Sequence, residues 1–188
     1  MKKYIIRLKS TTPLLLNTRQ KELDDELKTM KKDQLSDWEE KNWRRKAERD
    51  SKGNVILPMR WFRASFIQAC KSSMIVPDFA TSKRQTYTRY AQSMIFQNTT
   101  FSCSEKDLKP FGCFVGAQGA GSKTKVWRIR PQINQWETDL EIVDPLGRMS
   151  EEQLMEILND WAGIIVGVGD GRNLNFGRFE VVSIKEKK

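Results

Sequence analysis

Four glycines in eleven residues stand between an amphipathic helix and a terminal strand: Gly167-Val168-Gly169-Asp170-Gly171-Arg172-Asn173-Leu174-Asn175-Phe176-Gly177. The order around them constrains the fold. Upstream, Ser150-Glu151-Glu152-Gln153 spells a capping box. Leu154, Ile157, Leu158, Trp161 and Ile165 follow on one helical stripe. Downstream, Phe179, Val181 and Ser183 alternate with Glu180, Val182 and Ile184, the period of a strand. A dinucleotide fingerprint needs strand, glycine loop and helix in that order. Here the order is reversed, so that class is excluded. A helix C-cap and a turn would use two glycines. Four, with Asp170, Arg172, Asn173 and Asn175 between them, predict a loop on which another backbone or a phosphate chain lies closely.

The rest of the chain supplies a first strand over 3–10, with Tyr4, Ile6 and Leu8 on one face. Pro58 opens a helix over about 58–74, whose buried stripe is Phe62, Phe66, Ala69 and Cys70. Residues 77–92 read as irregular and polar. Strands are predicted over 93–103 and about 136–143. Between them lies a glycine-rich stretch, Gly112 to Gly121, and then an alternating basic run from Lys123 to Arg130. Gly116-Ala117-Gln118-Gly119-Ala120-Gly121-Ser122-Lys123-Thr124 nearly spells a phosphate-binding loop, but a strand-like segment follows where that motif needs a helix. The prediction is one α+β domain over 1–188, ferredoxin-like (RRM-like), of order β-α-β-β-α-β. Two insertions interrupt it: a charged helical segment at 20–52 and a glycine-rich basic hairpin at 104–125. In the first, Leu23, Leu27, Met30, Leu35 and Trp38 fall within about 140° of a helical wheel while Trp43 falls off it. That segment reads as a solvated helix docked by one face, not as core.

Composition narrows the chemistry. The chain has no histidine. Ser-His-Asp and Cys-His triads and most zinc sites are therefore excluded. Its three cysteines, Cys70, Cys103 and Cys113, stand at no metal-ligand spacing, which fits a reducing compartment. A cytoplasmic location is predicted, with no membrane partner, because Arg7 interrupts the N-terminal apolar stretch and no uncharged run reaches about 18 residues. No cofactor, metal or catalytic residue is predicted. The formal net charge of +9 is regional. Residues 21–52 carry ten basic and ten acidic groups, and residues 53–130 carry twelve basic and three acidic. Residues 131–188 carry six basic and eleven acidic. A basic middle beside neutral and acidic parts points to a polyanion, with single-stranded nucleic acid leading.

Three places resemble one family. The helix, Gly-x-Gly-x-Gly loop and Phe176-Gly177-Arg178-Phe179 resemble the C-terminal glycine-rich loop of the RAMP superfamily, the ferredoxin-like proteins of CRISPR systems. Ser10-Thr11-Thr12-Pro13-Leu14-Leu15 is similar to the end of their first strand. Leu57-Pro58-Met59-Arg60-Trp61-Phe62-Arg63-Ala64 is similar to the start of their first helix through Pro58, Phe62 and Arg63, and departs from it at Met59, Arg60, Trp61 and Ala64. The resemblance implies RNA binding, with copies polymerising along a guide RNA within a multi-subunit ribonucleoprotein. It also implies that the hairpin at 104–125 projects as a thumb.

These readings predict an RNA-favouring, single-strand-binding protein that forms a homo-oligomer or filament. Arg60, Arg63, Arg84, Arg89, Lys123, Lys125, Arg128, Arg130, Arg172 and Arg178 would meet phosphates, and Asn173 lies beside them. Trp61, Tyr87, Tyr90 and Trp127 would stack on bases. The open sheet face is expected to be basic and aromatic. Alternatives are a phage-type single-stranded DNA-binding or annealing protein, a metal-independent RAMP endoribonuclease using Asp170 or Lys123, and a structural or inhibitory protein facing an acidic partner.

Overall fold

In the computed structural model the described residues are 1–18, 20–73, 86–97, 99–100, 105–116 and 125–187; for residues 32, 86–89, 99 and 100 the backbone alone is described. In chain order the elements are β1 (Lys2–Ser10), β2 (Leu14–Leu15), α1 (Lys21–Thr29), α2 (Leu35–Asn42), β3 (Ile56–Leu57), α3 (Met59–Ser72), α4 (Thr86–Ser93), β4 (Ile95–Phe96) and β5 (Thr99–Thr100). Then come β6 (Lys109–Gly116), β7 (Lys125–Ile133), β8 (Glu137–Asp144), α5 (Glu151–Met155) and β9 (Phe179–Glu186). Helix α5 runs on as a π-helical segment, Glu156–Val166.

The chain is α+β with antiparallel sheets. The main sheet has the order β4-β8-β1-β9. A second sheet, β2-β7-β6, and a third, β3-β5, stand apart from it. The basic run is thus not a strand of the main sheet. Strand β7 pairs with β6 from Lys125↔Gly116 to Gln132↔Lys109, so the hairpin ladder runs beyond residue 125. Of the strand predicted over 93–103, the described residues form two short strands in different sheets, while 98 and 101–103 lie outside the described residues; of the segment read as irregular, 86–92 belong to α4 and 77–85 lie outside the described residues.

The alternation read in β1 is what builds the core. Tyr4, Ile6 and Leu8 are fully buried with Leu140 and Ile142 of β8. Helix α3 and the π-helical segment cover this face through Phe62, Phe66, Ile157, Leu158 and Ala162. Phe62 meets the Phe179 ring edge-on at 6.1 Å, and Phe66 meets Phe96 at 5.5 Å. Each such buried side chain stabilises the fold by about 1.5–3 kcal/mol. Gly163 lets the helix rest directly on the Phe179 carbonyl, and Asn159 Oδ1 accepts the Val181 N–H at 2.9 Å.

The opposite face differs from expectation. On β1, β8 and β9 it carries Lys3, Arg7, Glu137, Asp139, Glu141 and Lys185, with no aromatic residue among the described ones. Lys3 pairs with Glu141 at 2.6 Å, and Arg7 pairs with Glu137 at 2.7 Å and Asp139 at 3.2 Å. A charge-balanced comb of this kind offers a polyanion no net attraction.

The helical insertion also differs. Trp38 and Trp43 are buried, and Trp43 joins the core with Ala47 and Val55. Glu39 and Lys46 are buried as an ion pair against β7.

Two buried tyrosines give the fold an alkaline limit. Tyr4 donates to the Met149 carbonyl at 2.8 Å, and Tyr90 donates to the Asp144 carboxylate. Burial first, then nearby carboxylates, push the Tyr4 hydroxyl up to about 12. Burial and Asp144 raise Tyr90, and burial pushes the Cys70 thiol up to about 12. Raised folded values mean stability that is full below the unfolded pKa and lost as pH climbs through the folded one. The melting temperature is expected to hold to about pH 8.5, then fall increasingly beyond about pH 10, where unfolded Cys and Tyr ionise. A melting temperature unchanged to about pH 11 would contradict this.

Candidate nucleic-acid interface

The glycine loop is shaped by the chain segment after β1. Gly167, Gly169, Gly171 and Gly177 have φ of 74°, 76°, 66° and 72°. A Cβ on Gly169 would stand 2.6 Å from Leu14 Cδ1 and 2.7 Å from the Leu15 carbonyl oxygen. Asp170 N–H donates to Leu15 O at 3.0 Å, and Gly177 N–H donates to Pro13 O at 2.7 Å. The close-lying backbone is therefore the chain's own, one of the two occupants the glycines allowed. Asp170 fastens the arrangement. Its Oδ2 accepts Arg130 Nε at 2.6 Å and Asn17 Nδ2 at 2.9 Å, and its Oδ1 accepts the Gly171 N–H at 2.8 Å.

The rest of the loop projects outward. A short 3-10 turn, Arg172–Leu174, leaves Arg172, Asn173 and Leu174 exposed. Arg178 folds back beneath it, donating to the carbonyls of Ile165 and, at 3.0 Å, Arg172. Burial and the neighbouring Arg172 cation lower the Arg178 pKa. Among the described residues neither guanidinium has a carboxylate partner. Two cations held together without an acid make a site for an anion. They border an open groove of about 740 Å³, closed on its far side by Ala64, Gln68 and Ser72 of α3.

A second groove, of about 980 Å³, lies at the start of α3 between Arg60, Trp61 and the insertion residues Lys21, Arg45 and Arg49. Its arginines are mostly answered: Arg60 by Glu48, Arg45 by Glu26 at 2.7 Å, and Arg49 by Glu105 at 2.7 Å. Trp61 is half-buried against the core. Arg63 is exposed and donates to the Gln92 carbonyl at 3.1 Å.

The remaining predicted residues divide sharply. Tyr90 is buried, held by Asp144 and by the Arg148 N–H at 3.0 Å, so it cannot stack on a base. Arg128 pairs with buried Glu39 at 3.2 Å and Arg130 with Asp170, so both fasten the fold. Lys125 is exposed at the end of β7, and Trp127 is half-buried against Phe114, ring centres 5.0 Å apart. Arg84 and Lys123 lie outside the described residues, as do the side chains of Tyr87 and Arg89 on α4. Sequence reasoning missed Gln68 and Ser72, one helical turn apart on α3, and the insertion side of the second groove, where charges cancel in a count. Among the described residues no group of three Cys, Asp or Glu side chains could hold a metal ion, and no helix is long and apolar enough to cross a membrane.

No family model and no curated protein matches the sequence. The fold does have a counterpart. It is similar to a chain in the cryo-electron microscopy structure of the Type III-B Cmr-beta bound to cognate target RNA. The TM-score is 0.57 at 12% identity, a likeness of fold. The match covers 100% of this chain and 61% of that one, so this chain spans about three fifths of its counterpart.

Proposed function

We propose that this protein is a ferredoxin-like subunit of the RAMP type that binds single-stranded RNA within a CRISPR-type ribonucleoprotein. The Arg172–Arg178 pair carries the reading. Neither cation has a carboxylate partner among the described residues, the pair sits on an outward turn, and the one acid lining the adjoining groove, Asp170, is already held by Arg130 and Asn17. The strand order β4-β8-β1-β9, with α3 and α5 crossing one face, supports the ferredoxin-like topology. The fold likeness to an RNA-bound assembly supports RNA over DNA. Binding rather than cleavage is favoured because both Asp170 oxygens are engaged in holding the loop. Exposed Glu151, Glu152, Glu156 and Asp160 give one copy an acidic surface for the basic groove of the next, a head-to-tail contact that would follow the strand.

The test is titration of labelled single-stranded RNA and DNA of matched sequence across a salt series. Arg172→Glu is expected to weaken RNA binding at least about tenfold and to flatten the salt slope by about 0.7 for each phosphate no longer neutralised. Lys185→Glu, on the open sheet face, is expected to leave binding unchanged. The opposite pattern would move the site to the sheet and refute the groove. Equal or tighter binding of DNA would favour a strand-binding role of the phage type.

A further inference from the structure

Strand β6 ends its sheet. It pairs with β7 over all eight residues, and among the described residues no strand lies on its other side. Its outer N–H and C=O groups form an open template, which soluble proteins normally blunt with charge, proline or a covering element. Here Lys109 and Pro110 stand at one end only. From Phe111 to Gly116 the strand has no charge, and Phe114 is 67% exposed.

We infer that β6 is the contact surface for a second copy of this chain, paired antiparallel about a two-fold axis at Cys113. The register is self-complementary. Phe111 of each copy lies opposite Val115 of the other, an aromatic and β-branched pair. Gly112 of each lies opposite Phe114 of the other, which brings the incoming ring beside the Trp127 ring that covers this glycine. Trp127 already leans over Gly112, where a Cβ would strike its ring. The incoming Phe114 therefore meets an aromatic wall, and Phe114 and Trp127 of both copies become one cluster. Centring the pair on Phe114 instead would set Gly112 against Gly116 and forgo that packing. No like charges oppose one another within the paired residues Phe111–Val115. Such a contact is isologous and closes at two copies. It uses a different surface from the head-to-tail contact and needs no nucleic acid.

The test uses nuclease-treated protein free of nucleic acid. In sedimentation the chain is expected to show a concentration-dependent dimer that Phe114→Lys converts to monomer, with an unchanged circular dichroism spectrum because Phe114 is exposed. In a Cys103→Ser background, copper-catalysed air oxidation is expected to join the two Cys113 thiols, two protons and two electrons passing to oxygen. The Cα separation of about 4.5–5.5 Å in an antiparallel pair is within disulfide reach. Adding Cys113→Ser should abolish the joined species. A monomer at all concentrations overturns the inference. So does a dimer that Phe114→Lys leaves intact, or one that Cys113 does not join. RNA affinity measured on the same samples stands apart from either outcome.

Discussion

Replacing Glu39 by alanine is expected to lower folding stability by about 3–5 kcal/mol in urea unfolding. Glu39 is fully buried, and its Oε2 accepts from the Lys46 ammonium and from the Ile129 N–H at 2.8 Å. Its Oε1 accepts from Arg128 at 3.2 Å. Lys46 keeps one other acceptor, the Ile129 carbonyl at 2.7 Å. Without the carboxylate, a buried ammonium faces Arg128 and Arg130 with no counter-charge. Removing both charges together, as in Glu39→Leu with Lys46→Met, is expected to restore stability near that of the parent, because the desolvation of both ions is then avoided. The single variant has a pH signature. Burial already holds the Lys46 pKa below its ordinary value, and the Glu39 hydrogen bond opposes that shift. Without Glu39 the folded value falls further, the unfolded state binds more protons, and stability rises with pH relative to the parent. A deficit that is small, or that does not shrink between about pH 7 and pH 9.5, would show that this pair does not anchor the insertion. Glu26, whose partner Arg45 is largely exposed, serves as the comparison, and its loss should matter little.

Gly177→Ala is the second large effect expected, a loss of about 2–5 kcal/mol from the sum of left-handed backbone and overpacking terms. Gly177 has φ of 72°, and a Cβ there would overlap the Val168 carbonyl oxygen. Its N–H holds Pro13 O at 2.7 Å, and its own carbonyl accepts the Val168 N–H at 2.9 Å. The side chain cannot be relieved by rotation, because the obstacle is backbone. Gly53 separates the two terms. Its φ is 83°, but nothing stands within 4 Å of its Cβ position, so Gly53→Ala should lose only about 1 kcal/mol. Equal losses at the two sites would mean that Gly177 does not press on the Val168 carbonyl across the loop. Because Arg178 follows directly, the Gly177 variant should also bind RNA more weakly per folded molecule, readable in the titration above.

Legibility followed the range of the interaction. The start of α5 was readable because its capping box closes within four residues: Ser150 Oγ accepts Gln153 N–H at 3.2 Å, and Gln153 Oε1 accepts Ser150 N–H at 3.1 Å. The inward face of β1 and the buried stripe of α3 were readable from period alone. Trp43 was not, because it joins the core at a change from α to 3-10 geometry, where a 100° wheel loses phase. Tyr90 looked like a stacking residue in a basic segment, but Asp144, 54 positions away, takes its hydroxyl.

Local chemistry thus determined the first strand, the helix α3 and the start of α5, that the glycine loop needs left-handed backbone, and that the middle of the chain is basic. Tertiary structure decided where the positive charge is usable. A count treats Arg128, Arg130 and Arg172 alike. Folding sets the first against Glu39 and the second against Asp170, and leaves the third outside without an acid. The reason is physical: charge is additive along a chain, but its availability depends on which opposite charge the fold brings within a few ångströms.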